Sequence, residues 1–189
     1  MSLDLPTAHA RAVENTQRIV DAIGPDQLGH PTPCVDWDVA GLLQHVIAGN
    51  WWVAPLVGGQ TIEEVGDRYD GDVVGDDPSA SYRASGEAAV AAFSAPGAMD
   101  APCAVSYGPV PGSIYCGHRF IDVLVHGWDL AVATGGDTDL PDELVEACIE
   151  VVLPQLEMLA GSAMFGGAHD PGADVAPQTR LLTLLGRDG

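Results

Sequence analysis

Apolar residues recur three and four positions apart along most of the chain, a spacing that predicts helices rather than strands. Ala12, Val13, Thr16, Ile19, Val20 and Ile23 form the first stripe, predicting a helix from about Pro6 to Ile23 that Gly24-Pro25 stops. Val39, Leu42, Leu43, Val46 and Ile47 predict a second helix running to about Trp52. Asp36 is placed to cap its start, and Asp38 favours the positive end of its dipole. Residues 57–77 are rich in Gly and Asp and read as a long surface loop, with a helical turn near Ile62 to Val65. Asp77-Pro78 opens a third helix, with proline in its tolerated first position, Tyr82, Ala89 and Phe93 on its buried side and Pro96-Gly97 at its end.

Between Ala101 and Cys116, the turn residues Gly108, Pro109, Pro111 and Gly112 separate short apolar runs and predict a small hairpin or an irregular crossover. A fourth helix spans about Ser113 to Thr134, carrying Phe120, Val123, Leu124, Trp128 and Leu130, with Gly135-Gly136 as terminator. A fifth begins at Leu140-Pro141-Asp142-Glu143 and carries Leu144, Cys148, Val151, Val152, Leu156 and Leu159. Gly161 to Pro177 reads as loop, and Gln178 to Leu185 as a last short helix. The expected fold class is mainly all-α, a helical bundle with a small hairpin insertion and extra C-terminal helices, in a single domain over residues 1–189.

Composition narrows the partners. With 27 acidic against 7 basic residues the formal net charge is -20, and such a surface repels nucleic-acid phosphates and anionic lipid heads. The acidity itself reads first as a device for solubility. No stretch approaches the roughly 18–20 apolar residues of a membrane span, and Met1 to Arg18 lacks the basic start and apolar run of a signal peptide. A soluble cytoplasmic protein acting on a small molecule is expected, binding neither nucleic acid nor membrane. Cys34, Cys103, Cys116 and Cys148 contain no C-x-x-C pair, which disfavours a structural zinc knot and suggests reduced packing thiols.

Candidate chemistry centres on Asp122 and His126. Four residues apart on a strongly apolar helix, they project from one face, one turn apart, as a carboxylate–imidazole grip on a divalent cation. His45, inside the most apolar stretch of the second helix, needs a partner or a metal and is the natural third ligand. Three protein ligands leave open coordination, which catalytic sites keep. The same residues read equally as an ordinary i,i+4 pair beside a satisfied core histidine. His118 and Asp129 lie one turn to either side of the pair and are candidates to orient an imidazole or take up a proton; solvated helix positions fit them as well. Arg119 and Arg180 are the candidate basic contacts for an anionic cofactor or substrate. His9, His30 and His169 have no supporting context, and Trp51-Trp52 fits a pocket mouth or plain core.

Three spaced motifs carry a resemblance. Thr32-Pro33-Cys34-Val35-Asp36-Trp37-Asp38-Val39 with Leu43-Gln44-His45-Val46, then Asp122-Val123-Leu124-Val125-His126-Gly127-Trp128-Asp129-Leu130-Ala131, then Gln178-Thr179-Arg180-Leu181-Leu182 span almost the whole chain in order. Together they resemble the DinB/YfiT-like proteins, in the actinobacterial branch related to the N-terminal domain of mycothiol-dependent maleylpyruvate isomerase. The resemblance implies a four-helix bundle in up-down-down-up order, with a metal at one end held at the positions of His45, Asp122 and His126. It also implies thiol-dependent S-transferase or isomerase-type chemistry with mycothiol or a similar low-molecular-weight thiol, or metal-dependent hydrolysis, or a non-catalytic metal-carrying module; relatives often form homodimers. Zinc leads among the metals, with nickel, iron and manganese as alternatives. Asp122 stands where the isomerase has glutamate, one methylene longer, and the isomerase's separate C-terminal domain is not expected here, so its activity does not carry over directly.

Overall fold

The computed structural model describes residues 3–156 and 169–187. They fall into two compact units, Leu5–Thr138 and a smaller one made of the N-terminal residues with the segment from Asp139 onward.

The larger unit holds helices α1 (Leu5–Val20), α2 (Val39–Val57), α3 (Ile62–Val65), α4 (Pro78–Phe93) and α5 (Gly112–Thr134), with strands β1 (Pro102–Val105) and β2 (Gly108–Pro111). α1 packs against α5 and α4, and α2 against α4 and α5, so the four long helices close around one core. Leu42, Leu43, Ile47, Tyr82, Phe93, Phe120 and Leu124 are its largest wholly buried side chains. The hairpin pairs Cys103 with Val110 in antiparallel register and sends Cys103 into a cluster with Val53, Leu56, Phe93, Tyr115 and Cys116. No disulfide joins the four cysteines.

Several boundaries differ from the sequence reading. α1 stops at Val20, three residues early, because the next amides turn back on Gln17, Ile19 and Val20. Asp38, rather than Asp36, caps α2, accepting the Gly41 amide at 2.8 Å. α2 runs past Trp52 to Val57 despite Pro55, whose missing N–H costs one bond near the helix end. The turn at Ile62–Val65, the Asp77 cap and the Gly135 left-handed terminator (φ 71°) match expectation.

α5 is the central element, buried on most faces from Tyr115 to Ala131. α1 comes close to it at Gly127, where an added Cβ would lie 2.3 Å from Thr16 Oγ1. The Thr16 hydroxyl spans the same gap, donating to the Val123 carbonyl at 3.0 Å.

In the smaller unit, α6 (Asp142–Val152) runs into a 3₁₀ turn at Leu153–Gln155 and packs on α7 (Pro177–Leu184). Gln178 accepts the Leu140 amide at 2.8 Å. Leu159 and the first part of the expected 161–177 loop lie outside the described residues. Among the described residues, no helix is long and apolar enough to cross a membrane.

Candidate metal centre

α2 and α5 bring three of the singled-out side chains together. Asp122 Oδ1 is 3.1 Å from His45 Nε2 and 3.5 Å from His126 Nε2, and the three donor atoms lie within 4.8 Å of one another. Zinc bonds of about 2.0–2.1 Å at tetrahedral angles place neighbouring N and O ligands roughly 3.3 Å apart, so the two measured separations bracket what such an ion imposes. The donor set, two imidazoles and one carboxylate, suits zinc and its neighbours in the first transition row.

The surroundings fix each donor differently. Arg119 is buried, and its Nη1 donates to Asp122 Oδ2 at 2.8 Å while Nη2 donates to Asn50 Oδ1 at 2.9 Å and the Val46 carbonyl at 3.3 Å. Asp122 therefore offers Oδ1 alone to the imidazoles. Gly49 makes room for this guanidinium, since a Cβ there would sit 2.2 Å from Nη1. His126 turns its other nitrogen to Asp129, with Nδ1–H donating to Oδ2 at 2.9 Å, and that bond leaves the Nε2 lone pair facing Asp122 when the ring is neutral. His45 is the open member, its side chain 30% exposed against 16% for Asp122 and 10% for His126.

Burial alone would raise the Asp122 carboxyl, but Arg119, His126 and His45 outweigh it and hold the group well below the usual carboxylate range. Burial likewise opposes a charge on His126; Asp122 reverses this, helped by hydrogen bonds to Asp122, Asp129 and Cys34, and its ring titrates well above the ordinary histidine value.

A short loop builds the rim. Thr32 Oγ1 donates to the Trp37 carbonyl at 2.7 Å and accepts the Cys34 amide at 3.1 Å, while a bridge between Pro31 and Asp38 closes the loop onto α2. Trp37 thereby stacks on His45, with ring centroids 4.5 Å apart and planes 24° apart, and meets His126 edge-on. Cys34 lies beside the far edge of His126, with Sγ 3.3 Å from Asp129 Oδ2 and 3.7 Å from His126 Nδ1. Reading Cys34 as a packing thiol missed this placement; its position in the Thr32–Asp38 motif was the available signal.

The other candidates lie elsewhere. His118 is half-buried and hydrogen-bonds through Nδ1 to the Tyr107 hydroxyl in the hairpin turn. Arg180 is in the smaller unit, where its guanidinium grips Asp170 through two bonds at 2.9 and 2.7 Å. His9, set aside in the sequence, is wholly buried edge-on to Phe93, and neither ring nitrogen has a partner among the described residues.

Fold and site together describe a mainly α-helical domain with a His–Asp–His cluster between two core helices. Residues 9–131 match the family described as mycothiol maleylpyruvate isomerase N-terminal domain, and the chain belongs to that family. It is 36% identical over 201 residues to the uncharacterized proteins MT0763 and Rv0738 of Mycobacterium tuberculosis (strains CDC 1551 and H37Rv), a match covering 98% of this chain and 98% of each relative. Crystal structures of the mycothiol-dependent maleylpyruvate isomerase and of a histidine-to-alanine mutant of it superpose with TM-scores of 0.61 and 0.62. At 16% identity, over 84% of this chain and 72% of those chains, these two establish a shared fold.

Proposed function

We propose that the chain is a metal-dependent enzyme that transfers or adds a low-molecular-weight thiol, mycothiol by family, to a small electrophile. The observation that carries this reading is the convergence of His45 Nε2, Asp122 Oδ1 and His126 Nε2 within 4.8 Å of one another, the two separations to Asp122, 3.1 and 3.5 Å, lying close to those around a four-coordinate zinc, with one side open at His45. A divalent cation there would supply the positive charge that converts a bound thiol into a nucleophilic thiolate near neutral pH, since free thiols titrate at about 8.5.

The chain's own residues prepare that event. Arg119 holds Asp122 ionised and turned so that one oxygen faces the imidazoles. Asp129, completely buried, fixes the His126 ring through Nδ1 and keeps Nε2 aimed at the site. Trp37 covers one face of His45 and shields that edge from water. The open side of His45 is where thiol and electrophile would enter.

Elemental mass spectrometry on protein purified without a histidine tag tests the metal. Near-stoichiometric zinc in the wild type, lost in His45→Ala and His126→Ala, is the expected result. Consumption of a panel of electrophiles only when mycothiol is added then identifies thiol chemistry, while consumption without it indicates hydrolysis. A wild type that stays empty after zinc and nickel are offered defeats the proposal.

A further inference from the structure

His126 belongs to two three-donor clusters, one on each ring nitrogen. Nε2 faces Asp122 and His45, and Nδ1 faces Asp129 Oδ2 and Cys34 Sγ, all three atoms of this second group lying within 4.8 Å of one another. The sides of the second triangle are 3.7 Å from sulfur to nitrogen, 3.3 Å from sulfur to oxygen and 2.9 Å from nitrogen to oxygen. Zinc bonds of about 2.3 Å to sulfur and about 2.0–2.1 Å to nitrogen or oxygen set those edges near 3.5, 3.5 and 3.3 Å at tetrahedral angles. Each observed edge is thus within a few tenths of an ångström of a coordinating arrangement.

Burial supports the same reading. Asp129 is completely buried, and a carboxylate in that position gains from a cation. Cys34 is the only half-buried cysteine, on a loop whose next residue, Val35, is 94% exposed, whereas Cys103, Cys116 and Cys148 are buried in packed cores. Cys34 is therefore the one thiol not enclosed in a packed core, and it lies beside an imidazole and a carboxylate.

We propose that Cys34, His126 and Asp129 form a second cation site for thiophilic divalent ions such as Zn²⁺ and Cd²⁺, occupied in alternation with the His45–Asp122–His126 site. Sulfur is the soft donor the first cluster lacks. Alternation follows from the shared ring, because a neutral imidazole has one lone pair. With an ion on the Cys34 side, the thiol S–H bond breaks, a sulfur–metal bond forms and the proton leaves to solvent. The His126 Nδ1–H bond breaks as well, its proton leaving to solvent from a protonated ring or passing by way of solvent to Nε2 from a neutral one, so that the ring's one remaining proton is on Nε2, directed at Asp122 Oδ1. With an ion on the His45 side, the proton stays on Nδ1 and Asp129 accepts it. A thiophilic ion thus competes with the ion of the proposed active site through the tautomer of one histidine.

The experiment is a Cd²⁺ titration of chelator-treated, tag-free protein, following the ultraviolet thiolate-to-cadmium charge-transfer band, with far-ultraviolet circular dichroism as the folding control. Wild type and His45→Ala should both develop the band, saturating at one Cd²⁺ per chain, and Cys34→Ser should develop none. Carboxymethylation of Cys34 in the folded wild type should abolish the band without any substitution. Absence of the band in the wild type, its persistence in Cys34→Ser, or two cations bound per chain at saturation with zinc and cadmium overturns the proposal. Failure of the proposed function is distinguishable: zinc content then ignores His45→Ala while the cadmium band survives.

Discussion

Gly49→Ala perturbs the site without touching any of its donors. A Cβ at this position would lie 2.2 Å from Arg119 Nη1, 2.7 Å from Cζ and 2.9 Å from Nη2, so the guanidinium must move by more than about an ångström to reach ordinary van der Waals contact. That shift breaks the half-buried 2.8 Å bond to Asp122 and the buried 2.9 Å bond to Asn50. Hydrogen bonds to charged groups contribute about 1.5–3 kcal/mol each, and the uncovered Asp122 charge adds to the loss. Against this, alanine inside a helix is favoured over glycine by about 0.5–1 kcal/mol. The expected net is a destabilisation of about 2–5.5 kcal/mol in metal-free protein. Urea unfolding followed by tryptophan fluorescence measures it in the larger unit, because Trp37, Trp51, Trp52 and Trp128 all lie there. In an Arg119→Ala/Asp122→Asn background both the clash and the charge are gone, so Gly49→Ala should stabilise by the helix-propensity increment. Stabilisation by that same increment in the wild-type background would refute the argument that Gly49 exists to admit Arg119.

Three further outcomes are expected. His9 is buried with a pKa pushed down to about 3, by burial first and then by Arg119, so between pH 6.5 and 3 the unfolded chain binds the proton and the folded chain does not. Stability is therefore lost as pH falls below 6.5, by up to about 1.4 kcal/mol per unit from this group; His9→Leu should remove that slope in acid unfolding curves and raise the unfolding free energy at neutral pH by roughly 1–3 kcal/mol. Asp129→Asn should weaken zinc binding about 10–100-fold in chelator competition, since the His126 orienting partner loses its charge, and unchanged affinity would show that Asp129 has no such role. Nickel should quench the Trp37 emission because the indole stacks on His45 at 4.5 Å, and Trp37→Phe should lose most of that quenching.

The sequence was most legible where one local rule decided the structure. The Asp77-Pro78 start, the Gly135 stop and the hairpin between Cys103 and Val110 follow from cap and turn chemistry within a few residues. The spacing of Asp122 and His126 put both on one face of α5 before any packing was known. The apolar run around His45 singled it out as the third ligand, and the resemblance put a ligand at the same position. What periodicity blurred was the ends: the apolar stripe carried α2 only to about Trp52, yet packing of Val53 and Leu56 carries the helix through Pro55 to Val57.

Partners across the core were decided by tertiary structure. Arg119 reads as a candidate contact for an anionic cofactor or substrate, but Gly49 opens a slot in α2 and the guanidinium turns inward onto Asp122. His118 shares a helical face with Asp122, yet the hairpin presents Tyr107 and takes it. Cys34 lies 92 residues from His126 in sequence, and only closure of the Thr32–Trp37 loop onto α2 brings sulfur to the imidazole. Helical periodicity fixes which residues share a face because that depends on the backbone alone; which side chain meets which across the core depends on the joint packing of all four helices, and no local spacing encodes it.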